Sequence, residues 1–210
     1  MGICRNQSTM GDHGNKHLKF WRSSLPVFDP LERADEIKKI VCHGDERKYY
    51  RFRSARYYGG IASADCVGCN LDCAYCWSYK PRHNPRMGKF YSPAAVAGRL
   101  STIARQHGYR QVRITGNEPT ICREHLIEVI SLLPSPRFIL ETNGILIDDQ
   151  YVEALQFPNL HVRVSLKGAN GEQFSRITGA RPEFFERQLD ALRYLIDGGV
   201  ACNSLLYISR

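Results

Sequence analysis

Long hydrophobic runs are missing from this 210-residue chain. No window approaches 18 consecutive apolar residues, so no segment suits a membrane-spanning helix. The stretch from Met1 to Lys16 is polar and lacks the apolar run of a secretory signal. Gly2 follows Met1, but Asn6 stands where a myristoylation signal wants Ser or Thr. Neither glycine fingerprint of the nucleotide folds, the P-loop or the Rossmann turn, is present. The seven histidines (13, 17, 43, 83, 107, 125 and 161) share no metal-ligand spacing and read as surface or packing residues. There is no internal repeat and no long low-complexity tract. These absences predict a soluble, cytoplasmic chain with no membrane partner.

What is present is ordinary for a globular protein: 43% hydrophobic and 24% charged residues, enough for one domain or one domain with an extension. The charge is lopsided. Residues 1–110 hold 19 Lys and Arg against 9 Asp and Glu, and residues 111–210 hold 10 against 12. A basic half fits an anionic partner such as RNA, a nucleotide or an acidic protein, although a solvated basic face has the same composition.

Residues 1–28 read as a polar arm. Asp29-Pro30 opens a helix with Leu31, Ala34, Ile37 and Val41 at helical spacing, and Lys48–Arg53 reads as a strand, half of a hairpin with the segment after it. From there strands and helices alternate. Strands are predicted over 57–64, 111–115, 137–141, 160–166 and 200–208. Helices are predicted from Pro93 (N-cap Ser92) to about residue 106, over 123–133, from Asp148 to about residue 156, and over 182–197 with Phe185, Leu189, Leu192 and Ile196 on one face. Repeated βα units imply a parallel sheet with its chemistry at the carboxyl ends of the strands.

Eight cysteines in a chain of this size favour a metal site over disulfide staples, because four of them crowd into Cys66–Cys76. The segment Gly68–Trp77, GCNLDCAYCW, spaces three as C-x3-C-x2-C: Cys69, Cys73 and Cys76. Thiolates select zinc, copper(I) or iron–sulfur clusters. A structural zinc takes four protein ligands, and Cys66 forms a second C-x2-C with Cys69, so a four-cysteine zinc knot and a three-cysteine iron–sulfur loop both fit. Three ligands on a four-iron cluster leave one iron open.

This loop resembles the signature of the radical S-adenosylmethionine (SAM) superfamily, including an aromatic, Tyr75, before the last cysteine. Three further segments resemble the family's motifs at successive strand ends: Gly116-Asn117-Glu118-Pro119, with Asn117 in place of the usual Gly; Glu141-Thr142-Asn143-Gly144; and Ser165-Leu166-Lys167. The last two resemble the enzymes that activate glycyl-radical enzymes, and the C-x3-C-x2-C-W run resembles tRNA wyosine-base synthases. The resemblance implies an α/β fold, a partial (β/α) barrel with about five strands seen, in residues 57–210, preceded by an α+β extension over 1–56. The common core has six strands, so the chain is expected to be a C-terminally truncated piece or a shortened variant.

The resemblance also implies cofactors and roles. Cys69, Cys73 and Cys76 would hold a [4Fe–4S] cluster, and SAM would chelate its open iron. Tyr75 would lie near adenine; Gly116, Asn117 and Glu118 near the SAM amino group; Glu141, Thr142 and Asn143 near its polar groups; Ser165 near ribose; Lys167 near the carboxylate. Arg176 aligns loosely with a polar ligand position. An external low-potential donor, ferredoxin or flavodoxin, would reduce the cluster, and SAM would yield methionine and a 5′-deoxyadenosyl radical that abstracts hydrogen. No catalytic side chain is assigned. The substrate is expected to be tRNA or another anionic macromolecule, because the loop 77–89 is basic and aromatic (Trp77, Tyr79, Lys80, Arg82, His83, Arg86, Lys89). A protein glycine is the second expectation, and a non-enzymatic zinc-binding module is the reading of another class. Whether SAM is consumed or regenerated, and the oligomeric state, are not specified.

Overall fold

The computed structural model describes residues 27–207. Residues 1–26 of the polar arm, with Gly2, Asn6, His13 and His17, lie outside the described residues, as does Ile208 at the end of the last predicted strand, while Phe28 at the end of the arm forms a β-bridge with Ala180. The chain starts with helix α1 (Pro30–Val41). Asp29 caps it by accepting from the Leu31 and Glu32 amides at 2.8 and 3.3 Å, and Pro30 stands where a missing N–H costs nothing. Next come β1 (Cys42–His43), β2 (Glu46–Ala55), β3 (Ile61–Cys66), α2 (Tyr79–His83), β4 (Lys89–Tyr91), α3 (Pro93–His107), β5 (Gln111–Thr115), α4 (Arg123–Ser131), β6 (Arg137–Thr142), α5 (Asp149–Glu153), β7 (Leu160–Lys167), α6 (Gly171–Thr178), α7 (Phe184–Asp197) and β8 (Cys202–Tyr207).

One sheet runs β1-β2-β3-β5-β6-β7-β8, with β4 on β2. Strands β3, β5, β6, β7 and β8 are parallel. They correspond to the five predicted strands, and the architecture is the expected partial α/β barrel. The described part of residues 1–56 continues the same sheet, since β2 pairs antiparallel with β3. No helix among the described residues is long and apolar enough to cross a membrane.

Several boundaries differ from the expected ones. The first parallel strand begins at Ile61 because Gly59 and Gly60 take φ of 78° and 109°, closing a 3₁₀ turn over Tyr57–Gly59. Helices α4 and α5 stop earlier than the apolar pattern implied. Helix α6 was not predicted; Asn170 caps it and left-handed Gly179 ends it. The buried face of α7 is Phe184, Phe185, Gln188, Ala191 and Leu195, while Ile196 is 65% exposed. The helix turns a buried amide, not a fourth aliphatic, toward the sheet. A pairing that the sequence does not announce also appears: Cys42 and Cys122 form a disulfide, tying the end of α1 to the segment before α4.

Main-core residues from β3, β5, β6 and β7 pack against α3, α4 and α7. His125 in α4 belongs to this core. Its Nδ1 donates to the Asp45 carbonyl at 2.7 Å, which leaves Nε2 to accept from the Tyr49 hydroxyl at 3.0 Å. Burial, helped by nearby Arg47, pushes its pKa down to about 4. The unfolded ring binds a proton at higher pH than the folded one. Its contribution is therefore full above about pH 6.5 and lost as pH falls toward 4. Between pH 7.5 and 5 the chain should lose about 2 kcal/mol through this ring alone. Urea unfolding across that range should show a shallower pH slope in His125→Gln; an unchanged slope would count against the assignment.

Candidate cofactor site

Strand β3 delivers the cysteine loop through Val67 and Gly68. Gly68 adopts φ +86°, and a Cβ there would sit 2.6 Å from Ile37 Cγ2 and 3.0 Å from Val41 Cγ1 on α1. Gly68→Ala is expected to cost about 1–3 kcal/mol from backbone strain, before the clash is counted. Equilibrium unfolding measures this, and a stability equal to wild type would contradict it.

The loop turns the Cys69, Cys73 and Cys76 side chains into one cavity. All twelve predicted residues line it: the three cysteines, Tyr75, Gly116, Asn117, Glu118, Glu141, Thr142, Asn143, Ser165 and Lys167. They come from the cysteine loop and the carboxyl ends of β5, β6 and β7, as the parallel-sheet rule requires. Cys69 and Cys73 are buried, Cys76 half-buried. Burial, and next the Glu118 charge, hold the Cys69 thiol well above the usual thiol range. Among the described residues no three His, Cys, Asp or Glu side chains converge on a point that would hold a single ion.

Cys66 does not join them. It is fully buried at the end of β3, and its thiol donates to the Gly116 carbonyl at 2.8 Å. Burial raises its pKa to about 11, against the pull of Arg47.

The β5 end explains the departure at Asn117. Gly116 and Asn117 both take positive φ, 73° and 46°, a conformation asparagine tolerates. A Cβ on Gly116 would press on the Asp65 backbone at 3.2 Å. The Asn117 amide accepts from Gly68 N at 3.0 Å and donates to the Ser78 carbonyl at 3.1 Å. It thus laces both ends of the cysteine loop, which a glycine could not do.

Glu118 is buried with 0% exposure, and its carboxylate serves the protein. One oxygen accepts from Thr120 N (3.1 Å), Thr120 Oγ1 (2.7 Å) and Thr142 Oγ1 (2.6 Å); the other accepts from Asn143 N (2.8 Å). These bonds join the β5 and β6 ends. Asn143 in turn donates to Asn70 Oδ1 in the cysteine loop at 2.8 Å. Glu141 faces the cavity with Arg113 on one oxygen at 3.0 Å and the Thr115 hydroxyl on the other at 2.7 Å. At the β7 end, the Lys167 ammonium lies 5.7 Å from the centre of the Tyr75 ring.

Several organising residues are not evident from sequence. Arg47 is wholly buried and clamps the Val67 and Glu118 carbonyls at 3.3 and 2.7 Å. Gln188 donates to the Asn143 and Ser165 carbonyls and accepts from Lys167 N, joining the β6 and β7 ends. A polar residue on the buried stripe of an amphipathic helix was the available signal. Arg82 was expected among the cations of a loop that meets an anionic substrate, but its side chain is 3% exposed; it pairs with Asp72 at 2.7 Å and donates to the Cys73 carbonyl. Arg176 is exposed on α6 and does not line the cavity.

The donors suit an iron–sulfur cluster with SAM. Three soft thiols line the cavity together with a carboxylate, hydroxyls and an ammonium that suit an amino acid and a ribose.

A family model described as the radical SAM superfamily matches residues 65–209. A "probable GTP 3′,8-cyclase" of Methanosarcina acetivorans is 30% identical over 142 residues, 63% of this chain and 40% of that protein. A second, from Methanococcus maripaludis, is 35% identical over 114 residues, 52% of this chain and 37% of that one. The chain thus spans about two fifths of the length of these curated relatives. Among solved structures, native anSMEcpe with bound AdoMet superimposes with a TM-score of 0.53 at 23% identity, covering 67% of this chain and 41% of that one. Streptococcus suis SuiB bound to precursor peptide SuiA gives 0.53 at 24%, covering 69% and 31%. Likeness of this degree concerns the fold.

Proposed function

We propose, for a chain that belongs to the radical SAM superfamily, that Cys69, Cys73 and Cys76 hold a [4Fe–4S] cluster and that the protein cleaves SAM reductively to initiate hydrogen abstraction from a nucleotide-bearing substrate. The observation that carries this reading is the convergence of four strand-end segments, distant in sequence, on one cavity. When bound and reduced by an external low-potential donor, the cluster supplies the electron that breaks the sulfonium S–C5′ bond.

The protein's own part is binding and positioning. Cys69, Cys73 and Cys76 would hold the cluster, and the three thiolates would leave one iron without a protein ligand. Lys167 supplies positive charge for the SAM carboxylate, and Ser165 and Glu141 offer polar partners to ribose and the amino acid. Arg113 and Thr115 keep the Glu141 carboxylate aimed, because each occupies one of its oxygens. Glu118 acts as a brace, holding the β5 and β6 ends against one another. Tyr75 and Leu71 limit the water that reaches the centre. Residues 57–210 form the core that carries this site, and residues 1–56 are an extension whose described part adds α1, β1 and β2.

The names of the curated relatives support a purine nucleotide substrate. The exposed Lys80, Arg86 and Lys89 keep tRNA in view as the form in which the nucleotide arrives. The Thr142-Asn143-Gly144 and Ser165-Leu166-Lys167 segments favour, as a second reading, activation of a protein glycine. A glycyl radical on a partner, seen by electron paramagnetic resonance, would single that out. The test of the activity is anaerobic iron–sulfur reconstitution followed by dithionite and SAM. 5′-Deoxyadenosine and methionine should form in equal amounts, and their absence from an iron-loaded chain would overturn the proposal.

A further inference from the structure

Beside the cavity mouth, a cation pair and an aromatic face are built together. Arg51 and Arg53 are two apart on β2, so alternation places them on one face of the sheet. Both reach Asp65 on β3, whose side chain is fully buried: Arg51 Nε at 2.6 Å, Arg53 Nε at 2.9 Å and Arg53 Nη2 at 3.4 Å. Two guanidiniums on one carboxylate leave a net positive charge. Arg51 meets Asp65 only through Nε and also engages the Tyr50 hydroxyl, which leaves the remaining N–H hydrogens of its five-donor fork for a ligand. The two guanidinium carbons lie 5.8 and 5.9 Å from the Trp77 ring centre. Trp77 follows Cys76 directly, lines the same cavity, and is nevertheless 62% exposed. Its loop is fixed from below: Tyr50 Oη and Ser78 Oγ bond at 3.0 Å, and Asn117 donates to the Ser78 carbonyl.

A large, rigid, exposed indole backed by two cations is poorly explained by packing. From this geometry we infer that Trp77, Arg51 and Arg53 form a binding site for the nucleotide unit of the substrate, the base stacked on the indole and a phosphate on the free guanidinium donors. Indoles accept any base through its π-face, and guanidinium forks match phosphate oxygens. The carboxylate of Asp65 sets the register of the two arginines, so the distance between base platform and phosphate donors is built into the β2–β3 pairing. The site rests on the reading of the cavity as a SAM site only in that it places the substrate beside it. A free nucleotide and a nucleotide within a strand present the same chemistry.

Equilibrium dialysis of the full chain with labelled GTP tests this, with guanosine, inorganic triphosphate and a single-stranded RNA pentamer as parallel probes. GTP or the pentamer should bind, more weakly as salt rises. Trp77→Ala should weaken binding about tenfold or more, while Trp77→Phe, which keeps a stacking face, should stay within about threefold of wild type. Arg51→Gln, which leaves Arg53 on Asp65, should flatten the salt dependence and bring GTP binding toward that of guanosine. Binding of the pentamer without GTP assigns the nucleotide to a strand; binding of GTP assigns it to a free molecule. Equal binding of inorganic triphosphate to wild type and Trp77→Ala, with no gain from the base, would overturn the inference, as would no binding of any probe. 5′-Deoxyadenosine formation by the wild-type chain without nucleotide is measured alongside. Its failure with nucleotide binding intact strikes the cavity reading alone, and the reverse strikes this site alone.

Discussion

Cys73→Ala should lose the cluster and with it SAM cleavage, by more than the roughly 10–100-fold that outer-sphere changes cost a metal site. The thiol is buried in the cavity, and among the described residues only Cys69 and Cys76 bring further thiols to its lining. Cys66 is the nearest in sequence outside the C-x3-C-x2-C run. Its thiol is committed to the Gly116 carbonyl, and burial holds its pKa up at about 11. Cys66→Ala should therefore retain iron, at some cost in stability from the vacated core volume. Iron and acid-labile sulfide analysis after anaerobic reconstitution distinguishes the two. Retention of the full cluster by Cys73→Ala, or its loss in Cys66→Ala with the fold intact, would contradict the ligand assignment.

The second large effect concerns Glu118. Its carboxylate binds four donors without touching water, and the removal of one partner from a buried charged network costs about 3–5 kcal/mol. Glu118→Ala leaves the amides of Thr120 and Asn143 and two threonine hydroxyls to find new acceptors. A midpoint about 10 °C lower is expected for a chain of this size. Glu118→Gln keeps one acceptor oxygen but sets an NH₂ against the Asn143 amide, so it should fall between the two. Thermal unfolding followed by circular dichroism measures both. An alanine variant within about 1 kcal/mol of wild type would mean that the network is not what holds the β5 and β6 ends together.

The parallel strands were legible because each is apolar, short and bounded by turn residues, and the helices because they carry good caps at Asp29, Ser92 and Asp148. The cavity residues were marked by the family resemblance of their motifs, and the parallel sheet brings those strand ends to one edge. What the sequence could not display was which polar groups point inward to the protein. The Glu118 carboxylate, expected near an ammonium, also accepts from four donors of the protein, and Arg82, read as a cation for a substrate, pairs with Asp72 and the Cys73 carbonyl in the cysteine loop. Both differences arise from tertiary hydrogen bonding, which has no local periodicity. Arg47 is hidden for the same reason, whereas Gln188 could be found as the one polar residue on the buried stripe of its helix. The Cys42–Cys122 disulfide joins residues 80 apart, and nothing in their surroundings marks them as partners.

Electron paramagnetic resonance of the reconstituted, dithionite-reduced chain, recorded before and after SAM is added, bears most directly on the idea of a thiol-held cluster with one coordination position open. The spectrum should show a single [4Fe–4S]⁺ signal whose shape changes on addition of SAM. A spectrum indifferent to SAM, or a chain that takes up zinc and shows no iron signal, would contradict it.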